Sequence, residues 1–163
     1  MRSQLRHSTP IIIGGRTKPV SPDYIVGLTD GEGCFYVLVK PPYNQNGGAI
    51  VQLSFLIKVK EEDKIILDKV CDALGCGSVY FQHEKRINHS QCYRYTVNSH
   101  RDILEKIIPF FNKYSLRSFS KQNNFKIFCK IAKLVKEGKH HNNDGIKEIK
   151  KLKSQMNHRT GLA

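Results

Sequence analysis

Gly27 and Gly31 sit four residues apart inside one short segment, Tyr24 to Gly33, that its flanking residues mark as a helix. Ser21 is a good N-cap, and Pro22 suits the first helical position, where a missing N–H costs nothing. Each internal glycine sacrifices about 1 kcal/mol relative to Ala. At that spacing the two form one bare stripe, which lets another backbone come very close. Gly33 is expected to close the helix in the left-handed conformation. Glu32 then falls at the helix C-terminus, where the macrodipole disfavours a carboxylate. An acid placed there calls for a cation, and a divalent metal is the natural one. A tightly packed core helix with an incidental acid is the other reading, and helix logic alone leaves both open.

The rest of the chain decides what surrounds this helix. It has 163 residues, 39% of them hydrophobic, enough for one domain with its own core. Lys and Arg number 27 against 14 Asp and Glu, a net charge of +13 that points to a polyanion, most simply nucleic acid. A membrane surface is the rival, but no apolar run is long enough to span a bilayer. The five cysteines are odd in number and form no CxxC pair. They read as reduced, mostly buried thiols of an intracellular protein, in an organelle (mitochondrion or chloroplast) or a bacterial or archaeal cytoplasm. Residues 1–20 carry Arg2, Arg6, Arg16 and Lys18 without an acid and read as a flexible basic arm. A single domain is expected over 21–157, with 158–163 as a tail.

After the glycine helix, Cys34 to Lys40 alternates as a strand, with Phe35, Val37 and Val39 on one face and Cys34, Tyr36, Leu38 and Lys40 on the other. A turn-rich loop from Pro41 to Gly48 leads to a second strand, Ile50 to Lys60. Its Val51, Leu53, Phe55, Ile57 and Val59 share the apolar face, and Gln52, Ser54, Leu56, Lys58 and Lys60 the polar one. Glu61, Glu62 and Asp63 open a helix whose apolar stripe reads as Ile66, Val70, Ala73 and Leu74, closed by Gly75. Ser78 to Glu84 and Gln91 to Asn98 form a second hairpin, with Tyr93, Tyr95 and Val97 inward and Cys92, Arg94 and Thr96 outward. Ser99 and Asp102 start another helix, which Pro109 ends or kinks. Phe125, Phe128, Cys129, Ala132 and Val135 mark a further helix stopped by Gly138, and Asn143 caps a last one. The order is an α/β (α+β) sandwich of the αββαββα kind, with a helix followed by a hairpin in each half.

Letter by letter, Ile25-Val26-Gly27-Leu28-Thr29-Asp30-Gly31-Glu32-Gly33 resembles the motif that names the LAGLIDADG homing endonucleases. The element order, Leu116-Arg117, Lys121 with Phe125, and the tail helix ending Met156-Asn157 also look like that family. The resemblance implies a saddle of two antiparallel hairpins that binds double-stranded DNA, and a site-specific, metal-dependent double-strand break with short 3′ overhangs. It makes Glu32 the metal ligand, with the backbone of Gly31 beside it and Mg²⁺ or Mn²⁺ as the ion. It maps a polar catalytic group onto Glu61 and a basic one onto Lys121, with Lys64 as a further basic candidate. Because the chain holds one motif, the resemblance implies a homodimer through Ile25, Gly27, Leu28 and Gly31. Two Glu32 carboxylates brought together there would repel without divalent ions between them.

An antiparallel ribbon fits the major groove, and a strand of about nine residues rises roughly 30 Å, tracking about nine base pairs. A dimer would therefore read a near-palindrome of about 20 base pairs. The DNA-reading residues expected on the non-core sheet face are Cys34, Tyr36, Leu38 and Lys40, then Gln52, Ser54, Lys58 and Lys60. From the second hairpin they are Ser78, Tyr80, Gln82, Arg94 and Thr96. The serious alternative keeps the fold without the cut: an intron RNA maturase or a non-cleaving nucleic-acid binder, and only there is RNA the partner. His140-His141-Asn142-Asn143 superficially resembles an HNH nuclease but joins two helices. His83, His89 and Cys92 match no standard zinc spacing.

Overall fold

The structure is a computed structural model that describes residues 18–42, 48–85 and 90–156. The basic arm through residue 17, the two hairpin tips at 43–47 and 86–89, His89 of the zinc alternative, and the tail from 157 lie outside the described residues. The elements are α1 (Pro22–Glu32), β1 (Gly33–Lys40), β2 (Ile50–Lys60), α2 (Lys64–Leu74), β3 (Ser78–Gln82) and β4 (Cys92–Val97). The second half of the chain is helical. There α3 (His100–Asp102) runs through a wider π-helical turn, Ile103–Ile107, into α4 (Ile108–Lys113), followed by α5 (Phe119–Lys136) and α6 (Asn143–Ser154).

The four strands form one antiparallel sheet in the order β1-β2-β4-β3. Each hairpin puts its second strand at the centre, which is the arrangement expected of two similar helix–hairpin halves. Alternation sets the register. Phe35 pairs with Phe55, and Ile57 with Tyr95, so the apolar residues share one face. The helices cover that face. Phe35 lies at the centre of a ring cluster, with centroids 5.2 Å from Phe55, 5.5 Å from Phe111, 5.1 Å from Phe125 and 5.4 Å from Phe128. These contacts fasten β1, β2, α4 and α5 into one core.

Several local expectations are corrected. Gly33 is extended, with φ −75° and ψ 152°, because the chain passes from helix into strand with no intervening turn. Glycine is needed there for space: a Cβ would stand 2.5 Å from Thr29 Cγ2 and 2.7 Å from the Thr29 carbonyl oxygen. The acids Glu61–Asp63 form a separate 3₁₀ turn ahead of α2. The buried stripe of α2 is Leu67, Val70 and Leu74, while Ala73 is exposed and Ile66 half-buried. Gly75 closes α2 in the left-handed conformation, at φ 62°. The cap of α6 is Asn142, whose side chain accepts from the Gly145 N–H, one residue before the expected Asn143. Pro109 does not stop its helix; the wider turn before it absorbs the lost donor, and the helix continues to Lys113.

Candidate nucleic-acid interface and acidic centre

The motif helix has two faces. Ile25, Val26 and Thr29 are buried against the chain's own sheet. Tyr24, Gly27 and Gly31 are exposed on the other side and Leu28 half-buried, following the 3.6-residue period. Ile25, at 1% exposure, belongs to the inner face and cannot line an outward contact, so the expected interface loses it and gains Tyr24. A Cβ built on Gly27 or Gly31 would meet nothing within 4 Å, so inside this chain nothing requires glycine at either place.

The two acids of the motif do different work. Asp30 is structural: its Oδ2 accepts the Arg117 N–H at 2.9 Å, and its Oδ1 accepts the Ser118 N–H at 3.1 Å and the Ser118 hydroxyl at 3.0 Å. It thereby ties the motif helix to the start of α5, which Ser118 caps. An Asp30→Ala variant should lose roughly 1.5–3 kcal/mol of unfolding free energy, because charge-assisted bonds to two backbone donors vanish. Urea denaturation reads this directly, and an unchanged midpoint would sink the assignment. Glu32, two residues on and so about half a turn round the helix, is exposed and lies outside that network.

Lys121, on α5, donates to the carbonyl oxygen of Gly33, the residue after Glu32. The fold thus brings its ammonium to the end of the motif helix across a long sequence separation. Glu61 is exposed, and its N–H donates to the Gln91 carbonyl at 2.9 Å. It lines a hollow with Lys60, Glu62, Ser90 and Gln91 that Glu32 does not share. Glu62 also borders the Glu32 hollow, which Asp63, Lys58, Lys60 and Cys92 line as well. Three consecutive acids look alike in sequence; the 3₁₀ turn sends them in different directions, and only the structure selects among them. Lys64 is engaged by Asp68 at 2.6 Å. Burial pushes the Cys34 thiol above the usual cysteine range, and nearby Lys121 and Arg94 only partly offset it, so the cysteine beside this acid is a poor nucleophile.

On the non-core face of the sheet, the register aligns Cys34, Leu56, Thr96 and Ser78 in one row. Lys58, Arg94 and Tyr80 form the next row, and Lys60, Cys92 and Gln82 the third. At the β1 end, Tyr36 lies opposite Ser54, and Leu38 opposite Gln52. Lys40, Lys60 and Ser78 are exposed, as are Tyr36 and Tyr80, while Cys34, Leu38, Gln52, Lys58, Gln82 and Arg94 are half-buried. Ser54 and Thr96 are covered at 2% and 6% exposure, and Ser54 donates to Asn98 Oδ1 at 2.7 Å. Ser54 is therefore already satisfied within the chain. By contrast, Arg94 Nε, Gln82 Oε1 and Thr96 Oγ1 are buried without a partner, so this face holds unspent hydrogen-bonding capacity. The strands carry four cations (Lys40, Lys58, Lys60 and Arg94) and no acid. Lys58 is held by Glu84 at 3.6 Å, from just beyond β3.

Among the described residues, no group of three or more His, Cys, Asp or Glu is placed to hold a metal. No helix there is long and apolar enough to cross a membrane. All five cysteines are unpaired, and burial alone raises Cys129 to about 11.

Known proteins match this arrangement in both sequence and shape. A "Probable intron-encoded endonuclease 2" of Neurospora crassa is 30% identical over 141 residues, 85% of this chain and 29% of the relative. A "Probable intron-encoded DNA endonuclease 1" of Mycosarcoma maydis is 34% identical over 112 residues, 65% of this chain and 38% of the relative. The chain therefore spans well under half the length of these curated relatives. The crystal structure of the homing endonuclease I-TnaI superposes with a TM-score of 0.74 at 31% identity, covering 86% of this chain and 90% of that one. Meganuclease I-SmaMI bound to uncleavable DNA superposes with a TM-score of 0.76 at 30% identity, covering 85% of this chain but 45% of that one. I-SmaMI has also been solved on an uncleaved DNA target with calcium ions, and on cleaved DNA. The model of the LAGLIDADG endonuclease family matches residues 25–132, well over half the chain. The motif helix, the four-stranded saddle and the sequence match agree, and the chain belongs to the LAGLIDADG endonuclease family.

Proposed function

We propose that this chain is a site-specific homing endonuclease that acts on double-stranded DNA as a homodimer. The observation that carries the reading is the pairing of Glu32 with a bare, outward Gly27–Gly31 stripe on one helix end. Among the described residues nothing packs on that stripe, and no three acids of one chain stand close enough to hold a metal by themselves. A second copy packed on the stripe would supply a second Glu32 and join two saddles into one long groove. I-SmaMI, of which this chain covers just under half, is long enough to hold two such units.

The donor set suits a hard divalent cation. The Glu32 carboxylate is unencumbered, the Gly31 backbone lies beside it, and Glu62 and Asp63 line the same hollow with oxygen donors. Mg²⁺ or Mn²⁺ held there supplies Lewis-acid activation of the phosphodiester and of the attacking water. The chain's own residues do the rest. Glu32 fixes the site at the helix end, Lys121 places a positive charge near the scissile phosphate, whose oxygens and leaving sugar oxygen gain negative charge as water attacks phosphorus, and the sheet positions the bases. Glu61 lies in the neighbouring hollow and serves in this reading only to order that edge. The breaks are expected across the minor groove, with short 3′ overhangs.

Selecting cleavable duplexes from a randomised near-palindromic library tests the reading. A recovered target of about 20 base pairs with two-fold symmetry is the expected result. An asymmetric target, or none with metal present, would remove the dimer or the nuclease respectively. In the same selection, Gln52→Ala or Arg94→Ala should relax preference at one position in each half-site, by about 1–3 kcal/mol per lost bidentate contact. Uniform weakening across all positions would move base readout off this face.

A further inference from the structure

We propose that the outer face of α5 and α6 is a second, sequence-blind binding surface for the phosphate backbone of duplex DNA, so that one protein can hold two DNA segments. This rests on the reading that the sheet face holds the DNA to be cut.

The first support is where the charge lies. Beyond Lys121, which belongs to the acidic centre, residues 122–156 hold nine lysines against three acids, a surplus of six in a chain whose net charge is +13. The whole sheet contributes only four cations. The basic excess of this protein is thus concentrated away from the face proposed to read bases.

The second support is direction. Phe125 and Phe128 of α5 contact Phe35 on the core face of β1. Lys126, Lys130 and Lys133 fall on the opposite side of α5, at i, i+4 and i+7, and all three are exposed. α6 buries Gly145 and Ile149 and exposes Lys147 and Lys151; Lys150, also exposed, lines a hollow with Lys40 at the end of β1 and is left out of this face. Duplex DNA lying in the saddle cannot also reach the back of the helical layer, since DNA stays stiff over about 150 base pairs. A polyanion there is a second one.

The third support is what the face lacks. Two of the three local acids are engaged: Glu137 lies 3.9 Å from Lys133 and 3.4 Å from Lys139, and Asp144 lies 3.7 Å from Lys147, while Glu148 is exposed on α6. Among the described residues, Lys126, Lys130, Lys136 and Lys151 are exposed and have no acid within 4.0 Å. Among the described residues, Phe119 at the start of α5 is the one large apolar side chain exposed on either helix. Single-stranded RNA is gripped by stacking on aromatic rings, and a membrane surface by apolar insertion. A face of lysines alone fits the regular backbone of a duplex.

The test mixes donor-labelled and acceptor-labelled short duplexes of unrelated sequence with the full-length protein in metal-free buffer and reads energy transfer between them. Wild type should bridge them. The combined variant Lys126→Gln, Lys130→Gln, Lys136→Gln, Lys151→Gln should reduce bridging at least fivefold and still cleave the selected target. Its log–log salt dependence of bridging should be shallower by roughly 3 to 4, at about 0.9 per lost phosphate contact. Circular dichroism and retained cleavage show that the variant is folded. Lys58→Ala with Arg94→Ala should do the reverse, losing cleavage before bridging. The proposal is overturned if wild type fails to bridge, or if the quadruple variant bridges as well as wild type. It is also overturned if single-stranded RNA or phosphatidylserine-containing vesicles compete for this face better than unrelated duplex DNA. Failure of the nuclease reading shows separately, as a wild type that never cuts, whatever the energy transfer reports.

Discussion

A Glu32→Gln protein is expected to fold, bind its DNA target and fail to cut it. Among the described residues, no hydrogen bond or ion pair holds the Glu32 side chain, so exchanging it for an isosteric amide removes no internal contact. Loss of a carboxylate from a helix C-terminus relieves an unfavourable interaction with the macrodipole, so the melting temperature should stay level or rise slightly. DNA affinity rests on phosphate contacts and on the sheet and should remain within about tenfold. Cleavage should fall at least about 1,000-fold, equivalent to about 4 kcal/mol of barrier. EDTA should silence the wild type and Mg²⁺ restore it. A variant that still linearises plasmid at the wild-type rate would take Glu32 out of the chemistry. One that no longer folds would make it a structural acid like Asp30.

Gly31→Leu should separate assembly from folding. Among the described residues, a Cβ at Gly31 meets nothing within 4 Å, so a larger side chain has open space to enter. Replacing a helical glycine should even favour the helix, by up to about 1 kcal/mol. Thermal melting of the isolated chain should therefore be unchanged or improved. A second helix packed on the stripe would meet the new side chain at once, so light scattering should show a monomer and plasmid cleavage should disappear. Gly27→Leu should behave in the same way. By contrast, Gly33→Ala should harm folding itself, since its Cβ would collide with Thr29. If Gly31→Leu remains a dimer that cuts both strands, the interface lies elsewhere.

Much of this was legible without coordinates, because it depends on short-range periodicity. Alternation over two residues placed Phe35, Phe55 and Tyr95 on one face, and Tyr36, Gln52 and Arg94 on the other. Capping chemistry located the starts at Ser21 and Ser99, whose side chains accept from Tyr24 and Asp102. The Gly-acid string marked the helix that carries Glu32 and the family motif. Where local signals were degenerate, the reading slipped. Ile66 and Leu67 are both apolar, and only docking on the sheet showed that Leu67 is the buried one.

Tertiary structure decided which neighbours these residues have. Ile25 and Gly27 sit in the same nine letters, yet packing buries the first in its own core and leaves the second open. Glu61 and Glu62 are the same side chain one residue apart, and the 3₁₀ turn delivers only Glu62 to the Glu32 hollow. Lys121 reaches the Gly33 carbonyl only because α5 crosses β1, and Asp30 reaches Ser118 for the same reason. The sequence by itself determined element order, strand faces and the family, since each is written in spacings of two to four residues. Long-range partners are set by how those elements dock, and the sum of many weak contacts that chooses the docking is not contained in any short stretch of the chain.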